Sequence, residues 1–353
     1  MNTTPASLRL RFLSILGALP LAACGETFSS ESCVLLEEGQ DTCPSEAEIA
    51  ADLVGPGCGE RTLSVDGPGE LRSRSEDTGF SGDRCCYPVT QMEVSNGCVV
   101  GRPYYDEGKL VTSESVCAPG WARGRRPDVS ALSAAERRVL AEAWTRDALI
   151  EHASVAAFAR FSLELLAVGA PAALVDAAHA AARDEVRHAR FAFALASTYA
   201  GENVAPGGFP FGGSVPVETD LVRIAVATAR EGCVGETVVA LLAAEAMAAT
   251  EDPAVRDVLA VVASDEARHA ELAWKALRWM VEAGGEPVRA AVATVFAEIA
   301  EGGVQPPDVT FGASEAVLAA HGRIRADAMA AMVDRALREV VLPCGVAIGR
   351  LAA

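Results

Sequence analysis

The chemistry in this chain is concentrated in a five-residue motif that occurs twice, as Asp184-Glu185-Val186-Arg187-His188 and Asp265-Glu266-Ala267-Arg268-His269. The match continues without gaps through Ala189/Ala270, Phe191/Leu272, Ala192/Ala273 and Phe193/Trp274, so the chain contains an internal repeat. In a helix, Glu and His three apart share one face with about 4.5 Å of rise between them, close enough to hold a common ion. Lone carboxylates complete the pattern. Glu151 lies 34 residues before Glu185, between Ala148-Leu149-Ile150 and the apolar stretch Val155–Ala159. Glu231 and Glu236 lie 35 and 30 residues before Glu266. They are about 140° apart on an α-helix, so only one of them faces the ion. The spacing of the first copy favours Glu231, with Glu236 the alternative, and Gly232 and Gly235 would let either carboxylate approach. The candidate metal ligands are therefore Glu151, Glu185, His188, Glu231 (or Glu236), Glu266 and His269. Two helices that each give a lone Glu, and two that give Glu-x-x-His, supply the donors of a two-ion carboxylate site holding iron, manganese or one of each. The bland alternative is a solvated helix face, but two copies in order, with lone carboxylates at compatible distances, argue against it.

The doubled Asp-Glu-x-Arg-His resembles the motif of bacterial non-haem di-iron oxygenases and the wider ferritin-like superfamily, over about residues 130–283. The resemblance implies two iron ions as cofactor, ligated by Glu185, His188, Glu266 and His269. It also implies that Asp184, Arg187, Asp265 and Arg268 steady the histidines from behind, and such partners fix ring orientation and ligand basicity. The other histidines are weaker candidates. His152 adjoins Glu151 but points about 100° away, His179 is on the face opposite His188, and His321 lies outside the four helices.

Long helices must position these residues. The pattern predicts helices over about 132–168, 171–199, 217–249 and 252–283, then two more over 286–301 and 314–341. Ser133 and Glu136 stand in capping-box position. Gly169-Ala170-Pro171 breaks the first helix from the second, Glu251-Asp252-Pro253 opens the fourth, and Gly284-Gly285 closes it. Two tight hairpins joined by the long Gly- and Pro-rich connection from Gly201 to Val217 is the topology of ferritin-like bundles. The expected fold class is mostly α: a ferritin-like four-helix bundle with extra C-terminal helices over 127–353. A small disulfide-rich loop and β module precedes it over 24–126.

Composition agrees. Of 353 residues 50% are hydrophobic but only 5% aromatic, and alanine dominates, which suits closely packed helices. The balance of 30 Lys+Arg against 48 Asp+Glu, a net charge of −18, excludes a phosphate-backbone binder, so no nucleic-acid partner is expected. Seven of the ten cysteines fall between Gly25 and Arg126: Cys33, Cys43, Cys58, Cys85, Cys86, Cys98 and Cys117. No Cys-x-x-Cys spacing is present, so a metal knuckle is excluded and a disulfide framework is expected, with an odd cysteine left over. Cys233 and Cys344, in the helical body, are expected to tie the third helix to the C-terminal tail if the compartment is oxidising.

The compartment follows from the first residues. Arg9 and Arg11 precede a short apolar run ending in Leu21-Ala22-Ala23-Cys24, too short to span a bilayer as a helix. The run reads as a signal peptide over 1–23, and its end resembles the lipobox of bacterial lipoproteins. That resemblance implies cleavage before Cys24, lipidation of Cys24, and anchoring of an exported protein in a bilayer. With Gly25 rather than aspartate after the cysteine, the outer membrane is the expected destination. The alternative is an ordinary signal cut after Ala23.

Three classes of function fit this set. The first is an oxidoreductase, an oxidase, oxygenase or peroxidase using O2 or peroxide, with Phe158, Phe161, Phe191 and Trp274 as an apolar shell. The second is a non-catalytic metal-binding or storage protein, and the third a structural lipoprotein whose metal rigidifies the bundle. The chain has no flavin, nicotinamide or iron–sulfur motif, so the first class requires an external electron donor.

Overall fold

The computed structural model describes residues 4–16, 30–35, 63–65, 70–72, 84–91, 101–106, 108–304 and 314–350. Helix α1 (Pro5–Leu16) comes first. In the full chain it lies against the helical body, with Phe12 fully buried beside Trp274 and Arg11 paired with Glu271. Four head strands follow: β1 (Ser30–Leu35), β2 (Leu63–Val65), β3 (Glu70–Arg72) and β4 (Arg84–Gln91). Strand β4 pairs antiparallel with each of the other three, and Cys33 stands opposite Cys86. Cys24, Cys43, Cys58 and Cys98 lie outside the described residues, as do the side chains of the strand cysteines. The lipidation site and the head's disulfide framework are therefore not described here. Cys117 is an exposed free thiol.

Residues 101–126 run as a strap over the bundle. They include the short strands β5 (Tyr105–Asp106), β6 (Lys109–Leu110) and β7 (Ser115–Val116), the last pairing with β8 (Ala205–Pro206). The mostly helical body then begins at α2 (Ala134–Ala167) and α3 (Ala172–Ala200). The capping box forms: Ser133 Oγ accepts from the Glu136 N–H at 3.2 Å, and the Glu136 carboxylate accepts from the Ser133 N–H at 2.8 Å. A second antiparallel pair comprises α4 (Leu221–Ala249), capped by Asp220, and α5 (Pro253–Gly302), capped by Asp252. By length and composition α4 could cross a membrane, yet 61% of its most apolar window is buried inside the protein. A helix apolar on all sides is what a bundle interior requires.

One expectation about the C-terminal half holds and one changes. The break expected at Gly284-Gly285, between helices over 252–283 and 286–301, is present: Gly285, with φ 62° and ψ −144°, is non-helical and kinks α5 into two helical stretches. The single helix expected over 314–341 is divided into α6 (Glu315–Ala320), α7 (Ala326–Ala336) and α8 (Leu342–Gly349), the last two joined by a π turn. Gly322 causes the first division: its φ is 81°, and a Cβ there would lie 2.7 Å from Val255, so only glycine lets the backbone approach α5 so closely.

The apolar interior forms two halves along the bundle axis. One holds Phe158, Phe161, Leu165, Ala181, Cys233, Ala267 and Trp274. The other holds Leu140, Trp144, Ala148, Ala189, Phe193, Val255 and Val262. The charged residues sit between them.

Candidate metal centre

All four bundle helices deliver ionisable side chains to that intermediate layer: Glu151 from α2, Glu185 and His188 from α3, Glu236 from α4, and Glu266 and His269 from α5. Glu185, His188, Glu236, Glu266 and His269 are each between 1% and 3% exposed. They form two overlapping groups that could each hold a metal ion: Glu151, Glu185, His188 and Glu266, and Glu236, Glu266 and His269. Within each group the donor atoms lie within 4.8 Å of one another, and Glu266 belongs to both.

The imidazoles face the same way relative to the cluster. His188 Nδ1 lies 3.2 Å from Glu266 Oε1, 3.5 Å from Glu151 Oε2 and 3.7 Å from Glu185 Oε2. His269 Nδ1 lies 3.0 Å from Glu185 Oε1 and 3.2 Å from Glu266 Oε2. Their other nitrogens face aspartates of the opposite repeat. His188 Nε2 is 3.0 Å from Asp265 Oδ2, and His269 Nε2 is 3.5 Å from Asp184 Oδ2. Two arginines lock this crossed arrangement. Arg268 reaches Asp265 at 2.6 Å and Asp184 at 2.8 Å, while Arg187 donates to Asp184 at 2.8 Å and also to Asp265. The motif copies thus support each other's histidines, and the aspartate contacts leave the Nδ1 lone pairs for the interior.

The titration behaviour follows from this crowding. Burial, then the charge of Glu185, pushes Glu151 well above the usual carboxylate range, and burial, then Glu266, does the same to Glu236. Burial also opposes ionisation of Glu266, but His269 and His188 hold it well below. Burial disfavours the charged form of His188, yet Asp265 and the surrounding glutamates raise it well above its ordinary value. His269 is raised likewise, against burial, by Glu266, Asp184 and Glu185. Without metal, protons neutralise the layer. Three buried polar atoms of the layer nevertheless lack hydrogen-bond partners, His188 Nδ1, Glu236 Oε1 and His269 Nε2. Each belongs to one of the two candidate groups. Orphaned acceptors in a carboxylate and imidazole set suit first-row transition ions, so the residues fit a metal pair.

Of the two α4 carboxylates it is Glu236, not Glu231, that joins the cluster. Residues Thr228–Glu236 are wound as a π-helix, wider than α, and this shifts the register of α4. Counting residues on a uniform α-helix therefore misplaced the carboxylate. Glu231 instead lies 3.7 Å from Arg102, with its side chain 24% exposed. Arg102 is a residue that the sequence did not single out. It reaches in from the strap, 4% exposed, with its guanidinium 3.9 Å from the Phe161 ring centre and 5.6 Å from that of Phe158. Nothing in its local sequence marks it, because its partners are all more than fifty residues away.

Of the aromatics expected around the site, Phe158 packs on His269 at 5.0 Å between ring centres. Trp274 instead stacks on Phe296. His152 points away from the cluster, its Nδ1 3.0 Å from Ser113 Oγ. His179 is exposed, and His321 pairs with the Tyr199 hydroxyl at 2.8 Å. The tie expected between Cys233 and Cys344 is not formed. Both are buried free thiols, and burial pushes Cys344 up to about 12. No family model, curated protein or solved structure matches this chain, so the case for function rests on these residues.

Proposed function

We propose that this chain is an exported, lipid-anchored dinuclear carboxylate protein of ferritin-like character, holding two iron ions and oxidising a substrate with O2 or peroxide. The observation that carries the reading is the pair of overlapping donor groups sharing Glu266. Bound iron would supply one-electron steps and the capacity to activate an oxygen co-substrate. Six protein donors shared by two ions leave positions open, whereas a purely structural site favours closed ligation. The protein's own residues do the rest. Asp184 and Asp265 orient the imidazoles, Arg187 and Arg268 hold those aspartates ionised, and the two apolar halves limit water around the layer. An external donor supplies electrons, in keeping with the lack of a second redox motif.

Elemental analysis of the full chain after anaerobic reconstitution tests the first part: two ions per chain are expected, and one or none in a folded protein rejects the dinuclear site. Stopped-flow absorbance on mixing the reduced protein with O2 or hydrogen peroxide tests the second. If metal loads but stays reduced for hours, the non-catalytic, structural reading takes its place.

A further inference from the structure

A cleft of about 1020 Å³ reaches the cluster from one side, with Glu151 and His188 among its lining residues. It follows a stripe of α2: Arg137, Ala141, Trp144 and Glu151 recur at intervals of four, three and seven residues, and so share one face. From Arg137 to Glu151 this face runs about 21 Å. The walls between are apolar, from Leu149 on α2, Leu242 and Ala243 on α4, and Val258 and Val262 on α5. Such a space is at the upper end of small-molecule sites, which span roughly 300–1,000 Å³.

The end remote from the cluster is polar in a particular way. Arg137 has no ion-pair partner among the described residues, and its Nε is buried without a hydrogen-bond partner. Midway along the stripe, the indole Nε1 of Trp144, a side chain only 4% exposed whose ring lies under the Arg323 guanidinium, is likewise buried and unpartnered. None of the acids lining the cleft, Glu142, Asp147, Glu151 and Glu202, forms an ion pair with Arg137, and Asp147 pairs instead with Arg323. Leaving buried donors unmade costs stability, and a guanidinium is the best side-chain partner for a carboxylate. In a chain of net charge −18, an uncompensated cation heading an apolar cleft is charge-complementary to an anionic amphiphile.

We propose that the cleft binds a long-chain carboxylate, its head group on Arg137 and its acyl chain directed past Trp144 toward Glu151 and His188. The assignment rests on the metal-centre reading only for what happens at the far end of the chain; the binding site itself does not need it.

Titration calorimetry of the full chain with palmitate, before and after metal loading, is the test. Palmitate is expected to bind, and hexadecan-1-ol at least tenfold more weakly, since a charge-assisted hydrogen bond lost here is a tenfold effect or more. Arg137→Gln should weaken palmitate about tenfold. Ala243→Phe, which fills the cleft, should abolish binding while leaving metal content per chain unchanged. Should Ala243→Phe fail to fold, as judged by circular dichroism, Arg137→Gln and the alcohol comparison still decide. No binding by the wild type, equal affinity for the alcohol, or full affinity in Arg137→Gln overturns the proposal. Palmitate binding by a chain that takes up no metal would keep this site and remove the metal reading. Metal uptake without palmitate binding would do the reverse.

Discussion

His188 and His269 each turn Nδ1 toward the shared interior and Nε2 toward an aspartate of the other motif copy. Metal loading must displace whatever protons the interior holds. Glu151, Glu236, His188 and His269 are all raised well above their ordinary values, so in the metal-free protein they hold protons to higher pH than free side chains do. Loading should therefore release protons, and metal affinity should rise with pH. An indicator dye in weakly buffered solution measures the release, and no release would contradict the proposed protonation. The choice between the α4 carboxylates is equally testable. Glu236→Gln should lower metal content to about one ion per chain or less, whereas Glu231→Gln should leave it unchanged by elemental analysis. The opposite result would restore the symmetric reading of the repeat.

At the scale of elements, the π segment of α4 explains why Glu236 reaches the cluster and why two glycines flank it. A Cβ on Gly235 would lie 2.5 Å from the Gly101 carbonyl oxygen, and one on Gly232 would lie 2.6 Å from Ala273 Cβ. Gly235 therefore lets the strap cross α4 at backbone contact, and Gly232 lets α4 approach α5. Gly235→Ala must push the strap away, and is expected to destabilise the fold by about 1–3 kcal/mol, the usual range for overpacking. Thermal denaturation followed by circular dichroism checks this, and an unchanged midpoint would mean that the strap yields freely. Arg102, two positions into the strap, should then lose its hold over Phe161, so the same variant links the strap to the layer beneath.

For the whole molecule, the body sets two apolar halves around one charged layer and leaves a long cleft leading to it. Without metal, that layer is a costly arrangement even with its protons, because buried ions lose hydration that neighbouring charges only partly replace. A metal pair bound only by the folded chain stabilises it by mass action, about 2.7 kcal/mol at a hundred times Kd. The proposed lipid anchor belongs to this scale too. Cys24→Ala is expected to release the protein from the membrane fraction or block its processing, and intact-mass analysis of the mature wild type should show an acylated N-terminal cysteine. An unmodified Cys24 at the mature N-terminus would leave export intact but remove the anchor.

The repeat made the site legible before any folding was considered. Glu-x-x-His at helical spacing places both donors on one face whatever the surroundings, and the doubled motif, with Glu151, named five of the six residues that meet in the layer. Helix ends were readable for the same local reason, since the Ser133–Glu136 box and the Asp252-Pro253 start act within one turn. The sixth, Glu236, was legible only as the alternative to Glu231, because a π winding in α4 is a response to tertiary packing against the strap and α5, and it carries no local signature. The crossed pairing of Asp184 with His269 and Asp265 with His188, the intrusion of Arg102, and the cleft headed by Arg137 had the same origin. Each depends on which helix faces which across tens of residues, and that is decided only when the apolar faces close on one another.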